Sequence, residues 1–373
     1  MENAFGLIYT GDASMKLREL TFCRSVAAVP FGGRYRSIDF MLSNLVNAGI
    51  FNVGIIAQKN YHSLMDHLES GKEWDLHRKR GGLFVLPPFV THDNTGVYKG
   101  TVDAILSCMD FVRHAPQRYV VLTGSHTIYN KPYDEMIKAH IASGADITIM
   151  YNKEKPFRED EQFDDLRMRF DESGRVTDLA LNPRENVSEF CSCDAFVMEK
   201  SFLEYIVEDA YAHARYDFTR DVLVDNVKNL NIRGWEYDGF VARLNSINAY
   251  YRHNMAILDK GVTRDLFRHD HPIYTKIKDE FPASYVDDGR AVNCIVADGC
   301  IIEGYVENSI LFRGVKVGKG AVVKNSIIMQ ESVIGENANL NCVILDKDVV
   351  IGRDINLSGH DSYPVVLRKG AKI

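Results

Sequence analysis

The sequence predicts an α/β domain with a wound, mostly parallel sheet over residues 1–253, a connector over 254–282, and a parallel β-helix of short repeats over 283–373. Three observations predict it. Short apolar runs alternate with helical patterns through the first unit, the signature of a wound α/β sheet. β-branched residues recur about every sixth position in the last unit, with small or polar residues between them. The length, 373 residues, exceeds what one core usually organises.

In chain order, Phe5 to Tyr9 reads as a first buried strand. A helix follows over Ile38 to Ala48, ended by Gly49. Further strands are expected at Val53 to Ala57, Tyr119 to Thr123, Asp146 to Tyr151 (after a helix ending near Gly144), Val176 to Ala180 and Ala195 to Met198. Ligands of such sheets sit at the carboxyl ends of the strands, so the loops after Tyr9, Ala57 and Thr123 are the expected site. The connector, with Arg268-His269-Asp270-His271-Pro272, is charged and reads as irregular.

In the last unit Asn293-Cys294-Ile295, Asn308-Ser309-Ile310, Asn325-Ser326-Ile327 and Asn341-Cys342-Val343 recur at spacings of 15, 17 and 16. Val317-Gly318, Ile334-Gly335 and Ile351-Gly352 interleave at spacings of 17. Three short strands per coil explain both phases: the branched residue points inward, and Gly or Asn relieves the corner. An antiparallel sandwich does not explain a phase shared by two separate motifs.

The net charge is −7 and the pI about 6.0, which argues against a nucleic-acid partner. Met1-Glu2-Asn3 opens without a basic leader region, and no run approaches a membrane span, so a cytoplasmic protein without a membrane partner is expected. Seven scattered cysteines without a CxxC pair read as reduced thiols. No HExxH or Ser-His-Asp order supports a hydrolase.

Two loops bear on anion binding. Thr10-Gly11-Asp12-Ala13-Ser14-Met15-Lys16-Leu17 has one glycine, a carboxylate unfavourable to phosphates and a single cation, and by itself reads as an ordinary turn. Val29-Pro30-Phe31-Gly32-Gly33-Arg34-Tyr35-Arg36 lets a backbone approach closely between two arginines. It fits an anion-binding turn and a plain Gly-Gly turn with solvated arginines equally well.

Taken together, the motifs resemble the ADP-glucose pyrophosphorylase family, also called glucose-1-phosphate adenylyltransferase, of glycogen synthesis. The likeness lies in Phe31 to Arg36, Ile38-Asp39-Phe40, Leu42-Ser43-Asn44, Asn47-Ala48-Gly49-Ile50, Gln58, His62-Ser63-Leu64 and His67-Leu68, and in Tyr98-Lys99-Gly100-Thr101-Val102-Asp103-Ala104. It covers nearly the whole chain. It implies a Rossmann-like nucleotidyltransferase sheet joined to a left-handed β-helix, a tetramer, and Mg²⁺ in catalytic relatives. It also implies a nucleotide and sugar-phosphate pocket drawn from Gly11, Lys16, Gly32, Gly33, Arg36, Gln58, Gly100, Thr101, Asp103, Ser192 and Arg220.

The departures from the family pattern are informative. Its Gly-Gly-x-Gly-Thr-Arg-Leu loop stands here as Gly11 to Leu17, with Lys16 for the arginine, and its Arg-Ala-Lys-Pro as Arg24-Ser25-Val26-Ala27. Ser125 replaces the aspartate of Gly-Asp-His, Arg243 replaces the aspartate before Val-Gly-Thr, Asn182 the lysine of Glu-Lys-Pro, and Arg220 the lysine of Gly-Lys-Asp. A hydroxyl and a guanidinium do not hold Mg²⁺, which demands hard anionic oxygens. The pattern resembles the non-catalytic D-type subunit that some bacteria pair with a catalytic C-type subunit. No intact catalytic residue and no metal are then expected in this chain. The expected partner is a C-type subunit in a heterotetramer, or further copies of this chain, with an anionic effector. His77-Arg78-Lys79-Arg80, and more weakly His213, Arg215 and Arg220, are effector candidates, although a solvated loop also explains the basic run. The alternatives are an active nucleotidyltransferase using Asp12, Asp103 or Asp221 as substitute ligands, and a sugar-phosphate or nucleotide sensor without catalysis.

Overall fold

The structure, a computed structural model, describes residues 3–11, 17–88, 98–153, 166–183 and 187–373. A nine-stranded sheet organises the first unit. Across it run Val176–Leu181, Leu166–Phe170, Phe190–Glu199, Tyr119–Gly124, Ala4–Tyr9, Asn52–Ile56 and Gly82–Leu86, and Ile147–Lys153 bridges Phe190–Glu199 to Ile232–Glu236. The four strands from Tyr119–Gly124 to Gly82–Leu86 are parallel, and Phe190–Glu199 runs antiparallel to its neighbour. Side chains alternate faces along a strand, so Ile8 joins one apolar layer and Phe5 and Leu7 the other.

Every strand expected from the sequence forms, and three more join them: Gly82–Leu86, Leu166–Phe170 and Ile232–Glu236. The helix Ser37–Asn47 ends as its sequence requires. Gly49 takes φ 74°, its N–H reaches the Val46 carbonyl at 2.9 Å, and the Ile50 N–H reaches the Leu45 carbonyl at 3.0 Å.

The second unit is a triangular β-helix of three five-stranded parallel sheets. They open with Ser284–Tyr285, Arg290–Val292 and Ile295–Val296, and close with Val350–Ile351, Asn356–Ser358 and Val365–Leu367. Ile302, Val317, Ile334 and Ile351 form a buried inward stack. Asn293, Asn308 and Asn325 turn one corner at positive φ, a conformation asparagine tolerates. The fourth repeat departs from the expected register. Ile327 pairs with Ile344, so the corner residue is Cys342 (φ 52°) and not Asn341. The coil keeps its 17-residue length, because a one-residue slip would turn the inward residues outward.

The expected boundary at 253 falls inside a helix, Ile247–Ala256, and a second helix, Lys260–Leu266, lies within the segment expected to be irregular. Only the stretch from 268 to 283 lacks regular structure. The first helix ties the two units together. The Tyr250 hydroxyl donates to the Pro30 carbonyl at 2.7 Å, and the Tyr251 hydroxyl to the Asn325 carbonyl at 2.6 Å. Phe312, Met329 and Ile344 of the β-helix share one apolar core with Phe31, Phe40 and Tyr250. Among the described residues no helix is long and apolar enough to cross a membrane.

Candidate functional site

A cleft of about 150 Å³ opens at the carboxyl ends of Ala4–Tyr9 and Tyr119–Gly124. This is where an open α/β sheet binds ligands. Its lining includes Gly11, Thr101 and Ser192 from the expected pocket, with Tyr9, His126 and Asp194 beside them. Gln58 sits one step back, its amide donating to the Tyr9 hydroxyl at 2.7 Å. Gly100 caps the helix Thr101–Ser107 so closely under Tyr216 that an added Cβ would lie 2.3 Å from the Tyr216 carbonyl oxygen. Asp12 and Lys16 lie outside the described residues.

The two positions where the resemblance implies metal-holding carboxylates carry Ser125 and Arg243, and neither side chain supplies an anionic oxygen. Ser125 is buried, and its carbonyl accepts from the Ser37 hydroxyl. Arg243, 3% exposed, belongs to a two-residue strand paired with Thr127–Ile128. Its guanidinium donates to Asn152 Oδ1 at 2.6 Å and to the Ser192 carbonyl at 2.9 Å. The arginine therefore braces the cleft wall from behind, and a cation fixed there opposes Mg²⁺. Two of the three substitute carboxylates, Asp103 and Asp221, already accept backbone hydrogen bonds. Asp103 accepts from the Lys99 N–H at 2.9 Å, and Asp221 from the Tyr216 and Asp217 N–H groups at 2.8 and 2.9 Å. Among the described residues no three His, Cys, Asp or Glu side chains gather as a metal site.

Comparison with known proteins agrees with this architecture. The nucleotidyl transferase family model matches residues 5–236, and the GlmU-like C-terminal hexapeptide model matches residues 281–362. The glycogen biosynthesis protein GlgD of Bacillus subtilis is 38% identical over 84% of this chain and 81% of its own length. GlgD of Geobacillus stearothermophilus is 40% identical over 80% and 77%. The glucose-1-phosphate adenylyltransferase of Thermosipho africanus is 35% identical over 87% and 78%. The chain belongs to the ADP-glucose pyrophosphorylase family.

The glycine-rich motif shared with the ADP-glucose pyrophosphorylase family lies away from the cleft, which corrects the expectation for Gly32, Gly33 and Arg36. Pro30–Phe31 and Tyr35–Arg36 form a short hairpin whose turn faces the β-helix. Gly33 (φ 80°) lies where an added Cβ would stand 2.9 Å from Ile295 Cγ2, and the Gly32 N–H donates to Asn254 Oδ1 at 3.0 Å. These glycines serve close packing between the units. Arg36 donates to the Ser63 hydroxyl at 3.1 Å, and burial, with Arg24 and Arg313 nearby, pulls it down to about 10 against the favourable Asp39. Lys347 belongs to the same group: burial, then Arg36 and Arg24, lower it to about 7. A concentration of cations thus lies at the junction.

Two other expectations move. Arg220 is exposed and lies outside the described cleft lining, its backbone N–H held by Asp217 at 2.8 Å. In the basic run, Arg78 stacks on Phe51 with its guanidinium carbon 3.6 Å from the ring centre and pairs with Asp75, so it is a structural contact. Sequence reasoning missed Asp194. Its one signal was a carboxylate directly before the apolar run Ala195 to Met198.

Proposed function

We propose that this chain is a regulatory, catalytically deficient subunit of an ADP-glucose pyrophosphorylase, acting in glycogen synthesis. It would assemble with a catalytic C-type subunit as a heterotetramer and alter the activity or effector response of that subunit. The observation that carries the reading is Arg243, whose guanidinium is locked onto Asn152 and the Ser192 carbonyl at a position where the family's chemistry calls for a carboxylate. Replacement of a second carboxylate by the buried Ser125 supports it. The names of two relatives, glycogen biosynthesis protein GlgD, support the role in glycogen synthesis.

The junction cations Arg36, Arg313 and Lys347 give an anionic effector a place to act, since an anion there would relieve mutual repulsion among half-buried cations. The test is co-expression with a catalytic homologue, followed by kinetics of the purified pair. The reading expects a stable complex whose kcat, KM or effector response differs from that of the catalytic chain alone. Separate elution of the two chains, or a complex with unaltered kinetics, would contradict it.

A further inference from the structure

Lys347 is set up differently from the lysines paired at the surface. Lys99, Lys138, Lys153 and Lys324 are shifted upward, each first of all by a hydrogen-bonded partner: Tyr216, Asp134, Glu236 and Glu307. Lys347 is half-buried at the junction of the two units, and burial, then Arg36 and Arg24, bring its amine down to about 7. Near neutral pH, the unprotonated fraction of such an amine exceeds that of an ordinary lysine by roughly several hundredfold.

The coil corners set its position. The Glu331 N–H donates to the Arg313 carbonyl and the Asp348 N–H to the Gln330 carbonyl, both at 3.0 Å. Arg313, Gln330 and Lys347 therefore stack one coil apart, at the ~4.8 Å spacing of neighbouring strands. The Lys347 backbone is clamped: its N–H donates to Asp346 Oδ1 at 2.7 Å, and its carbonyl accepts from the Gly370 N–H at 2.9 Å. The charges facing its amine are Arg36 and Arg24 from the α/β unit, and Asp346 and Lys369 from the β-helix. Asp346 is already gripped by Arg24 at 2.8 and 2.9 Å. Asp39, which faces Arg36, already holds His67 at 2.6 Å and the Arg36 N–H at 2.9 Å.

An amine takes up carbon dioxide when it is unprotonated and when cations stand ready for the anionic product. We propose that Lys347 is a carboxylation site, its Nζ binding CO₂ as an N-carbamate. Nζ bonds to the carbon, one C=O π pair moves onto oxygen, and one amine proton leaves to solvent, giving –NH–COO⁻ and H⁺. A guanidinium has five donors, and Arg36 spends Nη1 on Ser63, which leaves the rest of its fork for the new carboxylate. Gln330 Oε1, one coil away, is buried without a hydrogen-bond partner among the described residues and suits the carbamate N–H. Carboxylation turns a half-buried cation into an anion among cations, so it would draw the two units together. The inference goes beyond the regulatory reading and does not depend on it.

The test equilibrates the full chain with ¹³C-bicarbonate near neutral pH, reads the carbamate carbon by ¹³C NMR, and traps it by oxonium alkylation for peptide mass spectrometry. Label at Lys347 is expected to exceed that at every other lysine side chain by at least about tenfold. Lys347→Arg keeps the charge but forms no carbamate, so the resonance should vanish. Arg36→Gln and Arg313→Gln each remove a neighbouring cation, and each should lower the label by at least about threefold. Absence of a carbamate at Lys347 in the folded wild type, label spread evenly over the lysine side chains, or undiminished label in both glutamine variants would overturn the inference.

Discussion

The guanidinium of Arg24 grips both carboxylate oxygens of Asp346, at 2.8 and 2.9 Å, with neither side chain more than 2% exposed. The pair joins the α/β unit to the fourth coil of the β-helix across 322 residues of sequence. A buried pair contributes little net stability compared with apolar replacements, but breaking one partner leaves a charge stranded. Asp346→Ala is therefore expected to cost about 3–5 kcal/mol in urea unfolding. The double variant Arg24→Met with Asp346→Leu should recover most of that loss. Equal losses in the single and double variants would show that the pair is not the source.

Gly33 tests whether its motif serves packing or ligand binding. Gly33→Ala puts a methyl group against Ile295 at a positive φ. It is expected to destabilise the chain by about 1–3 kcal/mol in thermal or urea unfolding. Ligand affinity of the cleft should stay within twofold of the wild type. A variant of full stability with lost binding would return Gly33 to the binding site.

Cys342 occupies a corner that asparagine fills in three coils below it. Cys342→Asn should stabilise the β-helix by roughly 0.5–1 kcal/mol, because asparagine tolerates left-handed backbone better. Differential scanning calorimetry reads this directly, and a lowered Tm would contradict it.

His253 is buried, and burial first, then Arg252 and Arg243, push it down to about 3. In the unfolded chain it titrates near 6.5. Between those values the unfolded state binds the proton and the folded state does not. Its contribution to stability is thus complete above pH 6.5 and is lost as pH falls toward 3, at up to ~1.4 kcal/mol per unit. His67 and His140, also lowered mainly by burial, act in the same direction. Urea unfolding from pH 7 to 5 should show the decline, and His253→Phe should flatten it.

Lys347 acts in the same direction at higher pH. Its folded value of about 7 lies below the ordinary lysine value, so stability should rise with pH above 7 as the half-buried charge is shed. Lys347→Met is expected to raise Tm at pH 7, with the gain fading by pH 10. Inorganic pyrophosphate should raise Tm of the wild type more than that of the variant. Equal shifts would remove Lys347 from effector binding.

The sheet was legible because its parallel strands are buried on both faces and are apolar throughout, as Ala4–Tyr9 is. Leu166–Phe170 was hidden because Arg167 and Arg169 interrupt its apolar run, and Arg167 is nonetheless buried with its guanidinium on the Ser188 carbonyl. Thr101 and Ser192 were legible through the family resemblance, and the structure brings both to the cleft. Gly32 and Gly33 were misplaced because adjacent glycines announce a close approach without saying what approaches; here it is Ile295 and Ile310. Asp194 escaped because a left-handed φ and a slipped pairing are properties of the folded strand.

The most direct test of the central claim is a turnover measurement on the purified chain alone, with ATP, glucose 1-phosphate and Mg²⁺. A cleft braced by Arg243, with Ser125 at the other carboxylate position, predicts no ADP-glucose formed above the background of a no-protein control. Turnover near the ~10 s⁻¹ of ordinary enzymes would contradict the account.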